Sequence, residues 1–259
     1  MRLVKNSITM KKIVIILSIF ALIADSCGQG NAQNQVANNS DFQVEEIAVN
    51  QDSYVPLINA IETNDKNAFD NLIEQIPNLD SLVQVSETDN FYSLLGYACK
   101  YKRCHLAERL INLGADLEIG ESDVYLVFDA LIVAVRSQDL CLVKLLLNKG
   151  ANPNRWNSEE GFSVLSLSCK LGNYDISKLL IESGADVNGL GDTGFDYIHF
   201  PLLHAVESNN IKLVQLLIDN NCKIDVIDKQ GETPFTIAKR NNNQKMTDLL
   251  RENLLIEKQ

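Results

Sequence analysis

Apolar residues in this chain recur at fixed distances from a small residue, six times over. The small residues are Ala60, Ala98, Ala134, Ser168, Ala205 and Ala238. Eight positions after them lie Ala68, Leu106, Leu142, Ile176, Leu213 and Met246; twelve positions after them lie Leu72, Leu110, Leu146, Leu180, Leu217 and Leu250. A separation of four puts each such pair on one face of a helix. Sixteen positions after the small residue come Gly114, Gly150, Gly184 and Asn221 in the second to fifth units. Gly and Asn tolerate the left-handed conformation that a sharp helix stop requires. The stretch Ser163–Asn188, SVLSLSCKLGNYDISKLLIESGADVN, shows the whole unit: a short helix, a tight turn, a longer helix and a stop at Gly184. The small residue lets the two helices of a unit approach closely. Successive small residues are 38, 36, 34, 37 and 33 positions apart. The offsets inside a unit are constant, so the variation falls in the connections between units.

This unit resembles the ankyrin repeat, whose pattern is T-P-L-H-x-A, two helices, then G-A-D-V-N. The match is fullest in DVIDKQGETPFTIA, Asp225–Ala238. There Thr233 is placed to cap a helix with its hydroxyl and Pro234 to fill the first helical position. It is looser in VPLINA, SLLGYA, DALIVA, SVLSLS and FPLLHA. The histidine of the pattern is absent from all six units, with His204 one place late. Its loss removes a side-chain to turn hydrogen bond, which implies lower stability and not another fold. The resemblance covers residues 55–255 and implies an all-α solenoid of about six helix–turn–helix repeats joined by hairpin-like loops, with a repeat domain over 55–259. The first unit is polar at Asn64, Asp65, Lys66, Asn67 and Glu74, and the last carries KRNNNQK and RE, as the two end units of a stack need.

The N-terminus follows a different pattern. Lys11 and Lys12 precede the apolar run Ile13–Ala24, whose twelve residues are too few to span a bilayer and suit a secretory signal. The run ends in Ala24-Asp25-Ser26-Cys27-Gly28, which resembles a bacterial lipoprotein signal with Cys27 as the lipidated residue. Ala24 and Asp25 depart from that pattern, and ordinary cleavage after Ala24 or Ser26 is the rival reading. Residues 1–27 are therefore expected to be a signal peptide. Residues 28–54, Gln/Asn-rich and poor in large apolar side chains over Gly28–Gln43, are expected to be a flexible tether. At about 5–6 Å per root residue its reach is roughly 30 Å. The expected location is the cell envelope, as a membrane-anchored lipoprotein, the alternative being a soluble periplasmic or secreted protein.

The chain has 259 residues, 46% of them hydrophobic, and a net charge of −11. Removing residues 1–27 takes away four positive charges and one negative, leaving −14. That balance argues against nucleic acid or an anionic membrane surface as partners. No phosphate loop, nucleophile elbow or metalloprotease helix is present, and no two of the three histidines sit at metal-ligand spacing. Neither an enzyme nor a cofactor is expected. Cys99 and Cys169 each follow a small residue directly, where a small buried side chain belongs. Cys104 and Cys141 fall at neighbouring offsets in adjacent units, but the spacings show no disulfide framework. The acidic residues read as solvated surface.

In the ankyrin family the contact surface is the row of hairpin tips together with exposed first-helix positions two and three after the small residue. By position, the hairpins carry Phe91 and Tyr92, Tyr125 and Phe128, Trp156 and Phe162, Phe195 and Tyr197. Large aromatic side chains are enriched at binding hot spots. Phe91, Phe128 and Phe162 have the competing option of folding inward. The first-helix positions carry Lys100 and Tyr101, Arg136 and Ser137, Lys170 and Leu171, Glu207 and Ser208. The resemblance thus implies a protein partner held by Tyr92, Lys100, Tyr101, Tyr125, Arg136, Trp156, Phe162, Lys170, Phe195 and Tyr197, on a monomer. The basic positions suit an acidic partner. Bacterial ankyrin proteins that neutralise a toxin are one such type; a structural or protective accessory of an envelope enzyme is the alternative.

Overall fold

The computed structural model describes residues 53–85, 90–119, 129–156, 161–189 and 199–257. The expected signal peptide with Cys27, and the expected tether up to residue 52, lie outside the described residues. Among the described residues every regular element is an α-helix, and they come in six pairs. These are α1 (Val55–Thr63) and α2 (Lys66–Ile73), α3 (Leu94–Lys100) and α4 (Cys104–Asn112), α5 (Ala130–Arg136) and α6 (Leu140–Asn148). They continue with α7 (Val164–Lys170) and α8 (Tyr174–Glu182), α9 (Pro201–Glu207) and α10 (Ile211–Asp219), α11 (Pro234–Arg240) and α12 (Gln244–Glu257). First helices pack on first helices in chain order, from α1 through α11. Second helices do the same from α4 through α12. The result is two helical layers around one core.

Local chemistry sets each helix boundary. Ser93, Asp129, Ser163 and Thr233 accept hydrogen bonds from the backbone N–H three residues on, at the starts of α3, α5, α7 and α11. Asp65, Asp139, Asn173 and Asn210 do so for α2, α6, α8 and α10. Such caps satisfy donors that a helix start leaves open. The turn between the helices of every pair places one residue at positive φ: Asn64, Lys102, Gln138, Gly172, Asn209 and Asn242. The helix stops at Gly114, Gly150, Gly184 and Asn221 also have positive φ, as their residue types predict.

The small residues are all buried, and so are the leucines twelve positions on from the second unit to the sixth. The first unit differs. There Phe69 and Ile73 take the core positions and Leu72 is half-buried. Phe69 occupies the place of Ala107 and Val143 in the next two units, and its larger ring fills the core from that side of the helix.

A ladder of hydrogen bonds ties consecutive units. Asp80 accepts from the Asp116 N–H at 2.8 Å, Glu118 from Asn152 at 2.9 Å, Asn154 from Asp186 at 2.8 Å and Asn188 from Lys223 at 2.7 Å. Three of the acceptors sit at the last position of the segments GADLE, GANPN and GADVN. On the opposite end of the helices, Arg103 donates to the Ile61 and Glu62 carbonyls that end α1, and Asn210 donates to the Gly172 carbonyl. Each unit thus closes backbone groups that its neighbour leaves open.

Candidate protein-binding face

The residue two positions after each small residue gives the row Glu62, Lys100, Arg136, Lys170, Glu207, Arg240. Lys100, Arg136 and Lys170 are the last residues of α3, α5 and α7, so each also meets the negative end of its own helix dipole. That structural role accounts for a positive charge at each site. It does not account for what surrounds two of them.

The Lys100 ammonium lies 4.9 Å from the Tyr92 ring centre and 5.6 Å from those of Tyr97 and Tyr101. Tyr92 meets Tyr97 edge-on at 5.2 Å, and Tyr97 stacks with Tyr101 at 6.2 Å. The Tyr97 hydroxyl donates to the Val83 carbonyl at 3.1 Å. Val83 and Tyr92 pair as an antiparallel bridge at the base of the hairpin. A side chain at Gly96 would place its Cβ 3.1 Å from the Tyr92 Cβ, so glycine is what lets Tyr92 fold over α3. Gly96 stands where the family pattern has its histidine.

Two units on, the Lys170 ammonium lies 4.2 Å from the Phe162 ring centre. Phe162 stacks on His199 at 3.9 Å and touches His204 at 5.0 Å. The His199 Nδ1 is 3.3 Å from the His204 Nε2, and the His204 Nδ1 is 2.8 Å from the Glu207 carboxylate. An ionised Glu207 only accepts, so His204 donates through Nδ1; in the neutral ring Nε2 then accepts, and His199 donates to it through Nδ1. The hydrogen bond from His204 holds the Glu207 carboxyl below its ordinary range, against the opposing effect of partial burial. Ser166, at the family's histidine position, donates to the His199 carbonyl and so supplies a contact to the following connection.

The expected contact residues divide by environment. Trp156 is 36% exposed, and Arg136 and Lys170 are exposed. Lys100 and Tyr101 are half-buried. Tyr92 is buried, which corrects its expected place at a hairpin tip, and Phe162 is buried too, taking the inward option open to it. Their rings instead support Lys100 and Lys170 from below. Trp156 is not at a tip either: it pairs with Ser163 at the base of its hairpin. Tyr125, Phe195 and Tyr197 lie outside the described residues, as does Phe128.

Two features went unseen in the sequence. Cys104 and Cys141, at the starts of α4 and α6, form a disulfide with Cα atoms 6.2 Å apart. The neighbouring offsets were the signal, but only the stack shows that they face each other. Arg155 and Asp129 form an ion pair at 2.5 Å, with side chains 11% and 2% exposed, and Glu118 lies 3.4 Å from the same nitrogen. Burial pushes the Asp129 carboxyl up, opposed by its hydrogen bonds from the Ile132 N–H and Arg155. Asp129 is therefore not the solvated acid expected of this chain. Cys99 and Cys169 are buried as expected, and burial pushes the Cys169 thiol up to about 12. Such a thiol is protonated and inert near neutral pH.

The model of the family described as ankyrin repeats (3 copies) matches residues 95–191 and 190–258. The chain belongs to the ankyrin-repeat family. Its relatives include an ankyrin repeat protein of Acanthamoeba polyphaga mimivirus, 27% identical over 176 residues, covering 68% of this chain and 22% of the relative. A fowlpox virus ankyrin repeat protein is 29% identical over 145 residues, covering 45% of this chain and 77% of that one. The human neurogenic locus notch homolog protein 1 is 27% identical over 144 residues, covering 56% of this chain and 5% of its own length. The chain thus spans about a fifth of the mimivirus relative. As an ankyrin array it is a protein–protein interaction module, and the family typically works without catalysis.

Proposed function

We propose that this ankyrin array is an exported, membrane-anchored module that captures an acidic protein partner on its first-helix row. The observation that carries the binding part is the run Lys100, Arg136, Lys170 on three successive first helices, two of its cations seated on aromatic rings. Trp156 beside α7 supplies an exposed aromatic anchor. The leader sequence ending at Cys27 supports export and lipid attachment, with residues 28–54 as the tether. The disulfide between Cys104 and Cys141 supports the same address, since disulfides persist in oxidising compartments. Neutralising a toxin is the sharper form of this role, and an accessory of an envelope enzyme the alternative.

Co-purification from the native host, with wild-type protein beside a Lys100→Ala/Arg136→Ala/Lys170→Ala variant, tests the binding reading. A partner held by the wild type and lost by the folded variant supports it; equal recovery by both overturns it. Mass spectrometry of the mature N-terminus decides the anchor. Lipid on Cys27 is the expected result, and an unmodified Cys27 thiol in exported protein rules it out.

A further inference from the structure

The charges along the first-helix row have a sequence of their own: negative at Glu62, positive at Lys100, Arg136 and Lys170, negative again at Glu207, and positive at Arg240, whose charge is already paired with Glu232 at 2.5 Å. Each residue sits at the same position of its helix, and the helices α1, α3, α5, α7 and α9 pack side by side in that order. Packed helices lie about 8–10 Å apart axis to axis, so the row is a ruler with that pitch. A polyproline-II chain repeats every three residues and rises about 3.1 Å per residue, giving about 9.3 Å between side chains on one face. An extended β-chain fits poorly, because its third residue points to the opposite side. Aromatic-lined grooves are also the usual seat of polyproline-II ligands, and here the half-buried Tyr101 ring borders the Lys100 cation.

We infer that the row recognises a polyproline-II segment with acidic side chains at three successive third positions, flanked at the same spacing by basic ones. The pattern is basic-x-x-acidic-x-x-acidic-x-x-acidic-x-x-basic. The three acids meet Lys170, Arg136 and Lys100. The flanking bases meet Glu207 and Glu62, which repel any longer acidic run and so fix the register. The Lys100 and Lys170 ammonium groups are held over rings before binding, which lowers the cost of ordering long side chains. This inference rests on the proposed binding face and adds the conformation and charge order of what binds there.

The test uses fluorescein-labelled peptides and the full chain, read by anisotropy at low ionic strength. The probe is Lys-Pro-Pro-Glu-Pro-Pro-Glu-Pro-Pro-Glu-Pro-Pro-Lys. Two controls accompany it: one with both terminal lysines replaced by Glu, and one of equal composition with its glutamates at alternate positions. The probe should bind at least threefold more tightly than either control. Lys100→Ala, Arg136→Ala and Lys170→Ala should each weaken it by at least threefold, with helicity by circular dichroism unchanged. Glu62→Lys together with Glu207→Lys should reverse the order of the probe and the all-acidic peptide, a result that no folding defect produces. Equal or tighter binding of the all-acidic peptide, or no loss on spacing change, overturns the inference. If the peptides fail while the triple variant still loses its native partner, the charge order falls and the binding face stands.

Discussion

The His199 Nδ1 lies 3.3 Å from the His204 Nε2, and His204 in turn holds the Glu207 carboxylate at 2.8 Å. One proton can sit between the two rings; a second would leave no lone pair to accept it. Lys170 and Arg240 also act on Glu207, although Arg240 is itself paired with Glu232. Its folded pKa is depressed. The stability it contributes is present above the ordinary glutamate value and is lost as the pH falls through the lower folded value. Glu207→Gln should therefore flatten the acid limb of a melting-temperature profile. At neutral pH it should cost under about 1 kcal/mol, because water screens a carboxylate this exposed. An unchanged acid limb would remove the contact from the account.

Trp156 anchors the partner in the proposed reading. Trp156→Ala should weaken partner binding by about 2 kcal/mol or more while leaving helicity intact. Its pairing with Ser163 is through the backbone bridge, which alanine keeps. Lower melting temperature with unchanged affinity would assign the indole to the fold instead.

The disulfide joins cysteines 37 positions apart. Closing a loop of that length restrains the unfolded chain by about 3–4 kcal/mol in the chain-entropy model. Cys104→Ser should lower the denaturant midpoint accordingly, and a reductant should do so in wild type and not in the variant. Equal sensitivity of both proteins to the reductant would show that the bond is not formed.

Asp129 both caps α5 and pairs with buried Arg155. Asp129→Asn keeps a good cap and removes only the charge. Breaking a buried pair from one side costs about 3 kcal/mol. Glu118→Gln, at the exposed edge of the same cluster, should cost under about 1 kcal/mol. A chemical denaturation series ranks the two, and a larger loss from Glu118→Gln would contradict the assignment.

Gln138 has φ of 56° in the turn between α5 and α6, where Gly172 serves in the next unit. A non-glycine residue in that conformation costs about 1 kcal/mol. Gln138→Gly should raise stability by about 0.5–1 kcal/mol, measured by thermal melting. Destabilisation would mean that the Gln138 side chain makes a contact worth more than its backbone strain.

The periodic part of this fold was legible because burial in a stack repeats with the unit. Ala98, Leu106 and Leu110 could be placed from their offsets alone, since each faces the same neighbour in every unit. The cap at Thr233 and the stop at Gly184 were legible for the same reason: their residue types suit only a few backbone states. The binding face was legible as positions and not as surroundings. Whether Tyr92 or Phe162 projects outward depends on what lies beneath, and Gly96 and His199 make room for them from 4 and 37 positions away. The turn residues Lys102 and Gln138 carry no signal of left-handed backbone in their chemistry. Arg155 and Asp129 come from different units, and nothing in either segment specifies the pairing.

The bond between Cys104 and Cys141 has a mechanical consequence. In the anchored reading proposed above, a partner that pulls on the module stretches it between its ends, and helical repeats yield one after another under load. The chain between the two sulfurs cannot lengthen, because force passes across the covalent link. At up to about 3.6 Å per residue, some 130 Å of contour is withheld from any extension. The bond crosses from α4 to α6, the helices that follow the cation-bearing α3 and α5. The units that carry Lys100 and Arg136 are thereby the last to be drawn apart when the array is pulled from its ends.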